Sequence, residues 1–215
     1  MAKSPAKSVN LSATDYLAAP EKHSIGPVCA VYGDEAFLKA EVLQALRRHV
    51  LAGEDSEFAL TIFTGKDVQL REVFDALATT SLFGSGKQLV IVEDAESFVS
   101  LFRTQLEAYA TRPAKDAVLV LDVKTWASNT RLAKVVAQIG SAIECKPLQE
   151  RQIKPWLIAR TKATEGVRLD GAAADALVEL LPLELGILAQ EVSKLALLAG
   201  PERVIGVQLV RDNVG

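Results

Sequence analysis

Val28-Cys29-Ala30-Val31-Tyr32-Gly33-Asp34-Glu35-Ala36-Phe37-Leu38-Lys39 joins an apolar run to an amphipathic one through a single glycine. Five consecutive apolar residues suit a strand buried on both faces of a parallel sheet. After Gly33 the period changes. Leu38, Val42, Ala45, Leu46 and His49 fall on one face at helical spacing, which predicts a helix over 34–50. Strand, short turn and helix make the first half of a βαβ unit, and the pattern recurs.

Working outward, apolar runs at 59–63, 89–92, 117–121 and 142–145 read as four further strands. Between them lie helical patterns over 67–78, with Asp67 as N-cap, then from Phe98 to Tyr109, and over 126–139. Five short strands alternating with helices predict an α/β fold, a parallel sheet covered on both faces. At Lys146-Pro147 the rhythm turns wholly helical. Ile153, Trp156, Leu157 and Arg160 mark one helix, 172–181 a second halted at Pro182, and Leu185, Leu188, Val192, Leu195 and Leu198 a third that Gly200-Pro201 ends. One more helical turn starts at 206–212. The predicted domains are therefore 25–147, an α/β domain, and 148–215, a small three-helix domain.

Residues 1–24 read as a flexible N-terminal tail. Met1 to Lys7 alternate lysine with Ala, Ser and Pro, 15–18 form a helical turn, and 20–26 form a linker. No apolar core of a secretory signal is present there.

Composition excludes several classes. The 215 residues carry a formal net charge of -3, without the basic footprint of a protein that wraps nucleic acid. Cys29 and Cys145 are the only cysteines and His23 and His49 the only histidines, too few for a disulfide framework or a zinc cluster and compatible with a reducing cytoplasm. No apolar run approaches the roughly 18–20 residues that span a bilayer.

An α/β frame of this kind usually serves a nucleotide, whose phosphates meet Gly-rich backbone N–H groups and a lysine directly after the first strand. Gly33-Asp34-Glu35 stands there instead, one glycine and two carboxylates that would repel a triphosphate. Gly84-Ser85-Gly86-Lys87 imitates part of a phosphate loop, but Gln88 replaces the Ser/Thr and the order is helix, loop, strand. Gly65-Lys66-Asp67 is too short. The reading is of no cofactor, no catalytic residue and no metal site. The segment Thr79-Thr80-Ser81-Leu82-Phe83-Gly84-Ser85-Gly86-Lys87 sets a Leu-Phe pair among small residues between helix and strand. A connecting turn is more often polar.

Val31-Tyr32-Gly33-Asp34-Glu35-Ala36-Phe37-Leu38 resembles the opening of the delta subunit of bacterial DNA polymerase III. Ser81-Leu82-Phe83 with Gln88-Leu89-Val90-Ile91-Val92 is similar to that family's clamp-contacting loop and next strand. Trp156-Leu157, Gly166-Val167-Arg168-Leu169 and Glu191-Val192-Ser193-Lys194-Leu195 are similar to its helical lid. The order and spacing of these loose motifs, from about Ile25 to Gly215, carry the resemblance.

The resemblance implies a RecA-like (AAA+) domain without ATP binding, then a lid, then a C-terminal collar. The chain stops where the collar would begin, which implies a fragment or truncated form. It also implies a non-catalytic clamp-loader subunit in DNA replication, the DNA-directed DNA polymerase (nucleotidyltransferase) activity belonging to the holoenzyme. Such a subunit presses its apolar loop into the beta sliding clamp and opens the ring. Thr80, Leu82 and Phe83 are the implied clamp-binding residues. The family tends to place a large apolar residue where Thr80 stands, so Leu77 is a candidate to share the anchor. Further implied partners are the delta-prime and gamma/tau loader subunits, through the missing collar, and DNA indirectly. A monomeric, cytoplasmic chain with no membrane association follows. In the RecA-like order Cys29 and Cys145 lie on adjacent strands, buried and reduced. Glu191 and Lys194 read as a structural helix pair. The competing readings are a divergent NTPase with a degenerate nucleotide site and a helical adaptor with no clamp contact.

Overall fold

The computed structural model describes residues 10–51, 59–79 and 87–214. The chain divides into two compact units, Met1–Lys146 and Pro147–Gly215.

Among the described residues, the strands of the first unit are β1 (Asn10–Ser12), β2 (Val28–Tyr32), β3 (Leu60–Thr64), β4 (Gln88–Glu93), β5 (Ala117–Val123) and β6 (Ser141–Glu144). Their spatial order is β1-β6-β2-β5-β4-β3, and every neighbouring pair is parallel. Apart from β1, this is the RecA-like order, with the first predicted strand between the fifth and the fourth. Helices α1 (Ala13–Ala18), α2 (Ala36–Val50), α3 (Leu70–Ala78), α4 (Glu96–Leu101), α5 (Arg103–Thr111) and α6 (Arg131–Ile139) belong to the same unit.

The continuous apolar runs sit where two-sided burial demands them. Every residue of β2 is buried, and Leu89 to Val92 in β4 have no exposed surface. Leu119 and Leu121 of β5 join Val90, Val92, Phe98, Leu106 and Val136 in one core cluster. Each such side chain contributes roughly 1.5–3 kcal/mol on burial, so the centre of the sheet is the most stable part of the unit.

Helix starts follow their caps. Thr130 Oγ1 accepts from Ala133 N at 3.2 Å, which starts α6 at Arg131 and not at Trp126. For α3 the N-cap is Gln69, not Asp67, since the Glu72 carboxylate accepts from Gln69 N at 2.9 Å. The pattern from Phe98 to Tyr109 is two helices that part at Phe102, leaving Leu101 exposed.

The N-terminal segment departs from expectation except at 15–18, where the expected helical turn lies within α1. Residues 10–22 are no tail. β1 pairs in register with β6 (Leu11 opposite Ile143), and α1 packs on α2. Tyr16 is fully buried, its ring stacked on that of His49 and flanked by that of His23.

 The Tyr16 and His49 ring planes are 6° apart with centroids 6.5 Å from each other, and the His23 centroid is 6.2 Å from that of Tyr16. Ser12 caps α1, its Oγ accepting from Asp15 N at 3.1 Å. Burying one whole tyrosine outweighs the composition that reads as linker.

In the second unit the described residues form α7 (Glu150–Thr164), α8 (Gly171–Leu180), α9 (Leu185–Leu198) and α10 (Val207–Asn213), with β7 (Arg168–Leu169) parallel to β8 (Val204–Ile205). The three helices and the further helical turn expected at 206–212 are α7 to α10; the two-stranded sheet between them was not expected. Two-residue strands carry no period that a sequence could reveal. Arg203 holds this sheet's margin, donating from Nη2 to Glu165 O at 2.9 Å and from Nε to Gly166 O at 3.2 Å. Gly200, at φ 65°, ends α9 in the left-handed conformation that glycine adopts most readily.

Candidate functional site

Two places in the first unit are the subject of the sequence expectations, and their described residues lie at opposite ends of the strands. Gly33 and Asp122 are at the C-terminal edge of the strands, where α/β folds bind ligands. Thr79 ends α3 and Gln88 opens β4 at the N-terminal edge. A strand of six residues, the length of β4, separates the edges by about 20 Å.

At the C-terminal edge, the turn after β2 is tied to both neighbouring strands. Gly33 N donates to Val123 O at 3.3 Å, Glu35 N to Cys145 O at 3.1 Å, and Cys145 N to Tyr32 O at 2.6 Å. Gly33 has φ 129°, and a Cβ there would stand 2.0 Å from Cys145 O, so no other residue fits this crossing. The Glu35 carboxylate then turns back to accept from Phe37 N at 3.2 Å and caps α2. In a phosphate loop such N–H groups face the nucleotide. Here the protein's own oxygens accept from three of them.

The lysine of this turn is engaged as well. Lys39 Nζ pairs with Asp122 and donates to Val123 O at 3.3 Å. Burial holds the Asp122 carboxyl above its ordinary 3.8, outweighing the attraction of Lys39, with Glu96 and Asp94 pushing the same way. Burial likewise pushes the Cys145 thiol up to about 12; Lys39 opposes this, and the carboxylates of Asp122, Glu35 and Glu144 add to it. A thiol so held is a poor nucleophile. No group of three or more His, Cys, Asp or Glu side chains arranged to hold a metal ion occurs among the described residues. No helix among them is long and apolar enough to cross a membrane.

Cys29 and Cys145 are both free and buried. Cys29 lies opposite Ser141, whereas Cys145 follows Glu144, the partner of Tyr32. The offset of four residues along neighbouring strands separates the two by roughly 13 Å, far beyond disulfide reach.

At the N-terminal edge, Thr80, Leu82 and Phe83 lie outside the described residues, as do the rest of 80–86. Their flanks are defined. Leu77 is 3% exposed and part of the core cluster, which corrects the expectation that it shares an anchoring role. Thr79 is exposed, its hydroxyl donating to Asp75 O at 3.0 Å. Gln88 N donates to Asp116 O at 2.8 Å and Leu89 N to Ala59 O at 2.7 Å, fixing the start of β4 from both sides.

In the second unit Lys194 pairs with Glu191 one turn away and donates to Asn213 O at 3.2 Å. The pair therefore ties α9 to the end of α10, a link that helical spacing alone did not reveal.

Known proteins resemble this chain over most of its length. A family model described as DNA polymerase III, delta subunit, matches residues 30–146. DNA polymerase III subunit delta of Bacillus subtilis (strain 168) is 26% identical over 201 residues, covering 89% of this chain and 57% of the relative. The solved structure of the Bacillus subtilis DNA clamp loader delta protein (YqeN) superposes with a TM-score of 0.75 at 23% identity, covering 93% of this chain and 61% of that one. The chain thus spans less than two thirds of the length of either relative.

Proposed function

Since the chain belongs to the DNA polymerase III delta subunit family, we propose that it binds the beta sliding clamp and opens the ring for loading onto DNA. Leu82 and Phe83 are the anchors, and Thr80, smaller and polar, contributes less. Two apolar side chains presented between a helix end and a strand can fill a concave pocket on the clamp, as interface hot spots do.

One observation carries the mechanical reading: the turn where a nucleotide's phosphates would lie is closed by the protein's own groups. Gly33 and Glu35 donate to neighbouring strands, Phe37 N is capped by Glu35, and Lys39 is paired with Asp122. The RecA-like frame then serves as a rigid mount for the clamp-binding segment, and sibling subunits supply ATP hydrolysis. On this reading the subunit is non-catalytic and works in the cytoplasm. It meets the delta-prime and gamma/tau subunits, and DNA only indirectly.

Native mass spectrometry of the chain with its cognate clamp tests the proposal, and a complex is expected. Calorimetry with ATP and magnesium tests the competing NTPase reading. Saturable binding at micromolar affinity would favour that alternative, and flat titrations are expected.

A further inference from the structure

We draw no further inference here: the strongest candidate, the N-terminal β1–α1 strap held along the β6 edge of the sheet by Tyr16 between His23 and His49, carries nothing beyond the fold, because the structure shows neither a second position for the strap nor the chemistry of anything that would take its place.

Discussion

Lys39, in the first turn and a half of α2, forms an ion pair with Asp122 near the end of β5, and each side chain is about 15% exposed (16% and 14%). The pair links the start of α2 to the end of β5, beside the turn at Gly33. Its two members do unequal work. Lys39 also satisfies Val123 O, whereas Asp122 remains dependent on the lysine for its charge.

Replacing Lys39 by Met should therefore destabilise the chain by about 1–3 kcal/mol at neutral pH, because a largely buried carboxylate is left without its cation. The pH dependence has a definite sign. Asp122 already titrates above its ordinary value in the folded state, and loss of Lys39 raises it further. The folded variant then binds a proton more readily than the unfolded chain, so its deficit against wild type shrinks as pH falls through that raised pKa. Urea denaturation of both proteins across the acid range checks this. A deficit that grew on acidification would refute the pairing.

Gly33→Ala and Gly200→Ala make a matched comparison. Both glycines have positive φ, but an added Cβ meets Cys145 O at 2.0 Å in one case and nothing within 4 Å in the other. The first change should cost about 3 kcal/mol or more, combining strain with displacement of the β2–β6 crossing. The second should cost about 1–2 kcal/mol, the left-handed penalty alone. Thermal melts of the two variants would show equal losses if the close approach at Gly33 were not real.

Tyr16→Ala removes the anchor of the N-terminal segment. A loss of about 3–5 kcal/mol is expected, as for other large buried aromatics. Amide exchange should show β1 released before the central strands, since among the described residues three pair it with β6. Retained protection at Leu11 in this variant would mean that strand pairing alone secures the segment.

Neither thiol should react with an aromatic disulfide reagent until the chain unfolds. Both are fully buried, and burial pushes each thiol up to about 12, so little thiolate exists at neutral pH. Oxidants should likewise leave the native protein without an internal disulfide, given the four-residue offset along β2 and β6. Stoichiometric labelling of native protein within minutes would contradict the described packing.

The central sheet was legible because its strands are long, apolar and separated by helices with a clear face. Leu89 to Val92 and Ala117 to Leu121 announce two-sided burial without any tertiary knowledge. The segment around β1 was not legible, since three residues hold no period and Tyr16 is a single aromatic among small residues. Ser12 followed by Asp15 was the available signal, a capping pattern three residues apart. Helix α3 was placed early because Asp67 is the commoner capping type, whereas Gln69 serves through the reach of Glu72. That β2 ends just before Gly33 and that a carboxylate stands at the start of α2 was readable from Gly33-Asp34-Glu35. What no pattern could state is which groups engage this turn, because Val123, Cys145 and Asp122 lie more than eighty residues further along the chain. The Lys194 contact to Asn213 belongs to the same kind: a carbonyl on another helix leaves no trace in local spacing.

The most direct test of the account is clamp affinity measured on the double variant Leu82→Ala/Phe83→Ala, with its melting temperature taken from the same preparation. The account predicts a nearly unchanged melt and binding weaker by about 2–4 kcal/mol, or roughly 30- to 1,000-fold. Thr80→Ala should weaken binding less. A melt that collapses while the folded fraction binds the clamp as tightly as wild type would contradict it, and would place both side chains in the core.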